Sequence, residues 1–280
     1  MTVHRVAACA IAAVLLAGVC HSTSQAVADE QQLTIREFFE SIIRTPPTSP
    51  QAKFLEGVER RMSGAPTEEI SQGLPSIMAA TRSDNDTTQR AAGVALIAIA
   101  IRQDSAALLR PYISDITELF DSEKDYMRRG SMAVLAMLRP SLPPEAVPPL
   151  LEYVNQTNRE QRSQVAALSI LLRAKPTDEA VVQATEKFLS RSLDSSTRFD
   201  ALNAIHTSLV KDIRIERIVL RDLADPNPGV QRAAIGALDS MGPKALAKAQ
   251  PALTILAKSE DKDLAAAARE ALARIAPQAQ

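Results

Sequence analysis

The chain is poor in the residues from which catalytic, metal and redox sites are usually built. It contains two cysteines, three histidines, nine glycines and no tryptophan, and aromatic residues make up 3% of its 280 residues. The formal net charge is −1 at pH 7, so no global field attracts the protein to nucleic acid or anionic lipid. With 46% apolar and 23% charged residues, the chain nevertheless has the composition of a protein that buries a core.

The first thirty residues have the pattern of a secretory signal peptide. Arg5 precedes an unbroken apolar run over residues 6–19, and Ala26-Val27-Ala28 is a small-residue cleavage site. The run has fourteen residues. As a helix it would span about 21 Å, less than the roughly 30 Å of a bilayer core. We therefore predict a signal peptide over residues 1–28, cleaved after Ala28, and a periplasmic or secreted chain that is not inserted in the membrane.

Lipid anchoring at Cys20 is the alternative to cleavage after Ala28. The preceding Leu16-Ala17-Gly18-Val19 is similar to a bacterial lipoprotein box, but the box requires a small residue where Val19 stands. We favour the cleaved, unanchored chain for this reason.

Cleavage after Ala28 would remove both cysteines and two of the three histidines. The remaining 252 residues hold 31 basic and 33 acidic residues and one histidine, His206. No disulfide, thiolate nucleophile or cysteine-bearing metal site is then available, and no cofactor is predicted. No H-x-x-x-H, H-E or G-x-S-x-G motif accompanies His206, so we interpret it as an exposed or capping residue and predict that the protein is not an enzyme.

An internal repeat runs through the rest of the chain. Residues 89–96 (QRAAGVAL) closely match residues 231–238 (QRAAIGAL), and weaker copies lie between and after them. The large residue that closes each copy recurs at spacings of 39, 33, 37, 33 and 34, at Leu96, Leu135, Leu168, Ile205, Leu238 and Leu272. A period of this size is typical of a helical repeat array.

Each repeat has the pattern of two helices. The first contains the small residues that allow a neighbouring helix to approach closely. The second has apolar residues at three-and-four spacing, as in Ile113, Ile116 and Phe120. Prolines recur in the second half of the repeats, and we expect them near the start of each second helix, at Pro75, Pro111, Pro148/Pro149 and Pro251.

The stretch from Asp225 to Leu238 reads D-P-x-P-x-V-x-R-x-A-x-x-A-L and resembles the HEAT-repeat family. The resemblance covers residues 83–275, although Phe199 and Ala266 stand where the repeat has arginine. It implies an all-α fold, an α-solenoid of stacked antiparallel helix pairs whose second helices line the concave face of a superhelix. Because one pair cannot bury its apolar face alone, stacking is also required physically.

The domain organisation follows from this pattern. After the signal peptide, residues 29–50 hold a short N-terminal helix with Phe38 and Phe39, followed by a proline-rich connection, and we interpret the helix as a cap on the first repeat. Residues 51–280 form the solenoid, with about six helix pairs and an alanine-rich C-terminal capping helix.

Two sets of arginines are candidates for a role. Arg90, Arg129, Arg162 and Arg232 share one repeat position, and we interpret them as structural residues that bond a neighbouring turn. The second set, Arg214, Arg217 and Arg221, is spaced i, i+3 and i+7 and therefore lies on one stripe of a second helix. This stripe is the candidate partner-binding site, suited to an acidic peptide, phosphate or sulfate group, although Glu216 and neighbouring aspartates could neutralise it.

The sequence thus predicts an exported HEAT-type module or scaffold that binds a protein or peptide partner in its concave groove. An envelope assembly or spacer protein is an alternative, and a HEAT-fold enzyme such as a lyase is a further one. Nucleic acid is not expected as a partner, because the chain is not basic and has few aromatic residues.

Overall fold

The computed structural model describes residues 33–47, 52–138 and 142–275. Helices, including short 3-10 turns, cover 78% of these residues, and none of them lies in a strand. The predicted all-α fold of stacked helix pairs is therefore confirmed. The predicted signal peptide, its cleavage site and Cys20 lie outside the described residues.

The chain divides into two compact units, Met1–Ala146 and Val147–Gln280. The helices of the first unit are α1 (Ile35–Arg44), α2 (Ala52–Gly64), α3 (Thr67–Thr81), α4 (Asp86–Ala100), α5 (Ser105–Leu109), α6 (Ile113–Glu118) and α7 (Asp125–Met137), with 3-10 turns at Arg110–Tyr112, Leu119–Asp121 and Pro144–Ala146. Helices α2, α4 and α7, which are the first helices of their repeats, stack on one another, and α1 packs against α3.

The second unit repeats this two-layer arrangement. Its helices are α8 (Val147–Asn155), α9 (Gln161–Ala174), α10 (Glu179–Leu189), α11 (Ser195–His206), α12 (Ile213–Asp222), α13 (Pro228–Met241), α14 (Pro243–Leu256) and α15 (Lys262–Ile275). The first helices α9, α11, α13 and α15 form one stack, and the second helices α8, α10 and α12 form another. Helix α14 packs against α13 and α15.

Small residues allow the first helices to stack closely. In both units, alanines on these helices are fully buried, among them Ala91, Ala95, Ala167, Ala201, Ala234, Ala237 and Ala268. Because alanine projects only a methyl group, two helix backbones can approach one another without a clash. The buried alanines therefore form the close contacts between first helices, and larger apolar residues fill the rest of the core.

Helix α1 caps the open side of α3. Thr34 and Glu37 form a capping box at its start, and Phe38, Phe39 and Ile42 are buried. The Ile35 backbone N–H donates to Glu69 Oε1 of α3 at 3.0 Å, so this carboxylate holds the end of α1 as well as starting α3.

One repeat position closes the end of the preceding helix in both units. The fourth residue after the N-cap of each of five first helices carries an amide or guanidinium group, and these residues are Gln89, Arg128, Gln164, Arg198 and Gln231. Each donates to backbone carbonyls just upstream, where a helix end or turn leaves acceptors without an intrahelical donor. We call this the capping position.

The capping position corrects the register of the third repeat copy, which closes at Leu168 in the sequence alignment. The backbone N–H of Gln164 bonds the carbonyl of its N-cap Glu160, as that of Gln231 bonds Asn227. Gln164 is therefore equivalent to Gln231, and the alignment of Arg162 with Arg232 is wrong by three residues. Because apolar residues on a helix recur every three or four positions, a shift of three keeps the apolar pattern in phase and escapes detection in the sequence.

The prolines do not all lie at helix starts. Pro75 and Pro251 lie inside α3 and α14, so the expectation of a helix start at these two positions is wrong. Each removes only one intrahelical bond, and the apolar period continues across it. Pro111 lies in a 3-10 turn between α5 and α6, where the second helix of that repeat is interrupted.

Candidate functional site

The predicted arginine stripe lies on α12, a second helix of the second unit. The helix begins at the N-cap Asp212, whose Oδ1 accepts the Arg214 backbone N–H at 2.8 Å. Ile215, Ile218 and Val219 are buried and fix the rotation of the helix. The stripe is thereby held on the side away from this apolar face.

Arg214 is a structural link between repeats. Its guanidinium donates to both carboxylate oxygens of Glu179 on α10, at 2.8 and 2.9 Å, and to Asp212 at 2.9 Å. The hydrogen bonds that Arg214 donates to Asp212 and Glu179 raise the pKa of Arg214. The same bonds to Glu179 lower the pKa of that carboxyl group. With its donors used inside the protein, Arg214 is not positioned to receive a partner's carboxylate.

Arg217 and Arg221 differ from Arg214 in having no such bonds. Both are exposed, and neither forms an ion pair within the described part of the chain. The three predicted residues are thus one bridging arginine and two arginines whose charge is available at the surface.

The next second helix extends this positive surface. Lys248 Nζ of α14 bonds Glu216 Oε1 of α12 at 2.7 Å, which joins the outer sides of the two helices. Lys244 lies one turn before Lys248, is exposed, and has no carboxylate partner among the described residues. Ile255, three turns after Lys244, is 72% exposed.

We define the cationic face as Arg217 and Arg221 of α12, Lys244 of α14, and the exposed isoleucines Ile213 and Ile255. Ile213 is 53% exposed and lies one turn before Arg217. Helix α14 contains no acidic residue, and α12 contains only Glu216, which is paired, and a buried aspartate. The face is therefore positive with two apolar contacts.

The sequence contains a signal for Lys244 and Ile255, the α14 residues of the cationic face that were not predicted. The α14 segment has two lysines and no carboxylate over Pro243–Leu256, and Ile255 lies off its buried stripe. The pairing of α12 with α14 through Glu216 and Lys248 depends on the stacking of repeats and is not visible in either segment alone.

His206 contacts a neighbouring helix. It is exposed, and its Nδ1 lies 2.7 Å from the carbonyl oxygen of Gly236 on α13. A Cβ at Gly236 would lie 3.4 Å from the same ring nitrogen, which is close to ordinary van der Waals contact. No group of three or more potential metal ligands is present in the described residues.

The four arginines interpreted as structural all bond within the protein. Arg90 and Arg129 pair with Asp86 and Asp125, each one turn earlier in the same helix. Arg162 and Arg232 reach the next first helix, where they contact Ser196 and Asp263. Arg162 is not at the repeat position of the other three, and these three already make two kinds of contact, so the arginines are not a single ladder of bonds between repeats.

Comparisons with known proteins support the fold and do not assign a function. No protein-family model and no curated protein matches the chain. An archaeal HEAT-like repeats protein from Thermococcus onnurineus NA1 is similar with a TM-score of 0.52 and 16% identity over 82% of this chain and 98% of that one. An engineered protein is similar with a TM-score of 0.51 and 18% identity over 98% of this chain and 76% of that one.

These similarities show that the chain has the fold of a HEAT-like α-solenoid. At such identities they show the fold alone. Within the described ranges, moreover, no helix combines the length and apolarity that crossing a bilayer requires.

Proposed function

We propose that the protein is an exported HEAT-type interaction scaffold that binds an acidic segment of another protein through its cationic face. This face belongs to the second helices, which line the concave groove in the family that the chain resembles. The observation that carries the proposal is the contrast on α12: Arg214 and Glu216 are bonded to neighbouring repeats, whereas Arg217 and Arg221 are left exposed.

The chemistry of the face favours a segment with both carboxylates and apolar side chains. Guanidinium and ammonium groups bond carboxylates, and the exposed isoleucines at 213 and 255 offer contacts that exclude water. Each exposed ion pair contributes about 0.2–1 kcal/mol, so charge alone gives weak binding and the apolar contacts would supply the rest.

Export is the second part of the proposal. The charged start, apolar run and A-x-A site of residues 1–28 support cleavage after Ala28 and a periplasmic or secreted chain. Expression of the whole chain in a bacterium, followed by fractionation and mass determination, tests this. A chain that begins at Asp29 in the exported fraction is expected, and an uncleaved chain in the cytoplasm would contradict it.

A binding experiment tests the interaction. The probe is a fluorescent 16-residue peptide with glutamate and leucine at helical spacing, and its control replaces every glutamate by lysine. We expect the acidic peptide alone to bind, and reversal of the two free arginines in R217E/R221E to weaken it about tenfold.

The matched control is K53E/R60E, which makes the same change of charge on two exposed residues of α2 in the first unit that form no ion pair with any described residue. This variant should bind as the unmodified protein does. An equal loss in both variants would mean that net charge, and not the cationic face, determines binding. Absence of binding by the unmodified protein would count against the proposed function.

A further inference from the structure

The groove between the first helices α9 and α11 of the second unit has a different charge pattern from the equivalent groove between α13 and α15. It has a volume of 320 Å³ and is lined by Val165, Ala166, Ser169, Asn203 and Ala204. Its floor consists of small side chains, so an extended backbone can approach both helices.

Two stripes of polar residues run along the groove at identical spacing. On α9 the stripe is Arg162, Ala166, Ser169 and Arg173, and on α11 it is Ser196, Asp200, Asn203 and Thr207. Both follow i, i+4, i+7 and i+11, which places each stripe on one side of its helix. The two arginines therefore lie at opposite ends of the same groove.

Both arginines are held by hydroxyl groups. Arg162 Nη2 donates to Ser196 Oγ at 2.8 Å, and Arg173 donates to Thr207 Oγ1 from Nη2 at 2.8 Å and from Nε at 3.1 Å. A hydroxyl orients a guanidinium without neutralising it. In the described residues neither arginine forms an ion pair, so two positioned positive charges remain.

The groove between α13 and α15 supplies an internal comparison. It has a volume of 210 Å³, and arginines also stand at its two ends. There Arg232 pairs with Asp263 at 3.4 Å, and Arg274 pairs with Asp239. Glu270 adds a further negative charge, so this groove is neutralised from within.

The α9–α11 groove is lined by one carboxylate, Asp200, and by two arginines that form no ion pair among the described residues. Asp194, the N-cap of α11, interacts with Arg162 electrostatically but is bonded to Thr197.

We propose that the α9–α11 groove binds an extended peptide segment of a partner protein through two acidic side chains, one at each arginine. Arg162 and Arg173 are eleven residues apart, which is about 16 Å along the helix axis. An extended chain advances about 3.3 Å per residue and its side chains alternate between two faces, so two acidic side chains that both face the groove are an even number of positions apart. Six positions cover the distance of about 16 Å between the two arginines. A basic residue between them would face Asp200. This site is distinct from the cationic face and does not depend on it.

Synthetic peptides test the proposal directly. The probe is a fluorescent eleven-residue peptide with glutamate at positions 3 and 9 and lysine at position 5, all on one face of the extended chain, in a serine-glycine background. One control places the two glutamates next to each other, and another exchanges glutamate and lysine throughout. We expect the probe to bind at least fivefold more tightly than either control, and to be weakened by added salt.

Variants of the protein locate the site. R162Q/R173Q should weaken the probe about fivefold, since glutamine can still bond the two hydroxyls but carries no charge. R232Q/R274Q, which removes the same charges from the neutralised groove, should not weaken it. R217E/R221E should not abolish probe binding, which separates this site from the cationic face. Circular dichroism melts check that all variants fold.

Each other outcome overturns a part of the proposal. Equal losses in the two glutamine variants would show that the α9–α11 groove is not the site. Equal affinity for the probe and for the peptide with adjacent glutamates would refute the spacing. Failure of the folded, unmodified protein to bind any of the three peptides at millimolar concentration would refute the proposal as a whole, and leave the test of the cationic face unaffected.

Discussion

Replacement of Gln164 by leucine should destabilise the second unit more than the same replacement at any other glutamine of the capping position. Gln164 is 1% exposed, and its Nε2 donates to the carbonyl oxygens of Val154 at 2.9 Å and Tyr153 at 3.1 Å, and also to that of Gln156. Leucine fills a similar volume but cannot donate, so these carbonyls lose a partner at the end of α8.

The expected loss of stability follows from the number of carbonyl oxygens that are left without a hydrogen-bond donor. Val154 O keeps a second donor, Arg191 Nη2 at 3.1 Å, so the carbonyls of Tyr153 and Gln156 bear most of the loss. A buried acceptor without a donor costs about 1–3 kcal/mol, which gives about 3 kcal/mol for Gln164→Leu. The matched variant is Gln231→Leu: this half-buried side chain makes one such bond, at 3.2 Å to Leu223 O, which water can replace, and about 1 kcal/mol is expected.

Urea denaturation followed by circular dichroism measures the free energy of unfolding of both variants. Because repeat proteins open locally, hydrogen exchange of the α8 and α9 amides should accompany it. We expect protection in these helices to fall in Gln164→Leu and to be nearly unchanged in Gln231→Leu. Equal losses of stability in the two variants would show that burial does not make the capping bonds of Gln164 more stabilising than that of Gln231.

Four further substitutions, one of them a matched control, test the packing of the helices and the buried polar groups. Gly73→Ala should cost about 1–3 kcal/mol and expose α1 to hydrogen exchange, because its Cβ would lie 2.3 Å from Ile35 Cγ2. Gly93→Ala, which has nothing within 4 Å, should be neutral or stabilising by up to about 1 kcal/mol, and equal losses would contradict this. Burial raises the pKa of Asp222 above that of an aspartate in the unfolded chain. The free energy of unfolding therefore falls as the pH rises from the unfolded pKa to the raised one. The stability of Asp222→Asn relative to the unmodified protein, measured by urea titration, should therefore increase from pH 3 to pH 7, and a decrease would refute the sign. Arg102→Ala should lower the free energy of unfolding by about 2 kcal/mol, since Arg102 Nη1 donates to three carbonyls at the end of α2, whereas an unchanged urea midpoint would show that water replaces it.

The candidate site shows how far local sequence reasoning reaches. The spacing of Arg214, Arg217 and Arg221 correctly indicated three arginines directed away from the buried face of one helix. It did not indicate that Arg214 bonds Glu179, because these residues are 35 positions apart and meet only when α10 and α12 stack. The same holds for Glu216 and Lys248, which are 32 positions apart.

The capping position is a similar case. The match between residues 89–96 and 231–238 contains Gln89 and Gln231, yet the adjacent arginine is the more conspicuous residue in the sequence. Arg128 and Arg198 perform the same role with a different side chain, so no single residue type marks the position. The shared property is a donor within reach of a helix end, and this is a property of geometry.

By itself, the sequence determined the helical class, the repeat and the small residues of its core, because each follows from periodicity along the chain. The tertiary structure decided which charged groups are bonded across repeats and which remain at the surface. Bonds such as Arg214–Glu179 join residues about one repeat apart, so their formation depends on how neighbouring helices stack. The two arginines of the α9–α11 groove form no ion pair among the described residues for the same reason: stacking brings the hydroxyl groups of Ser196 and Thr207 within hydrogen-bond distance of them.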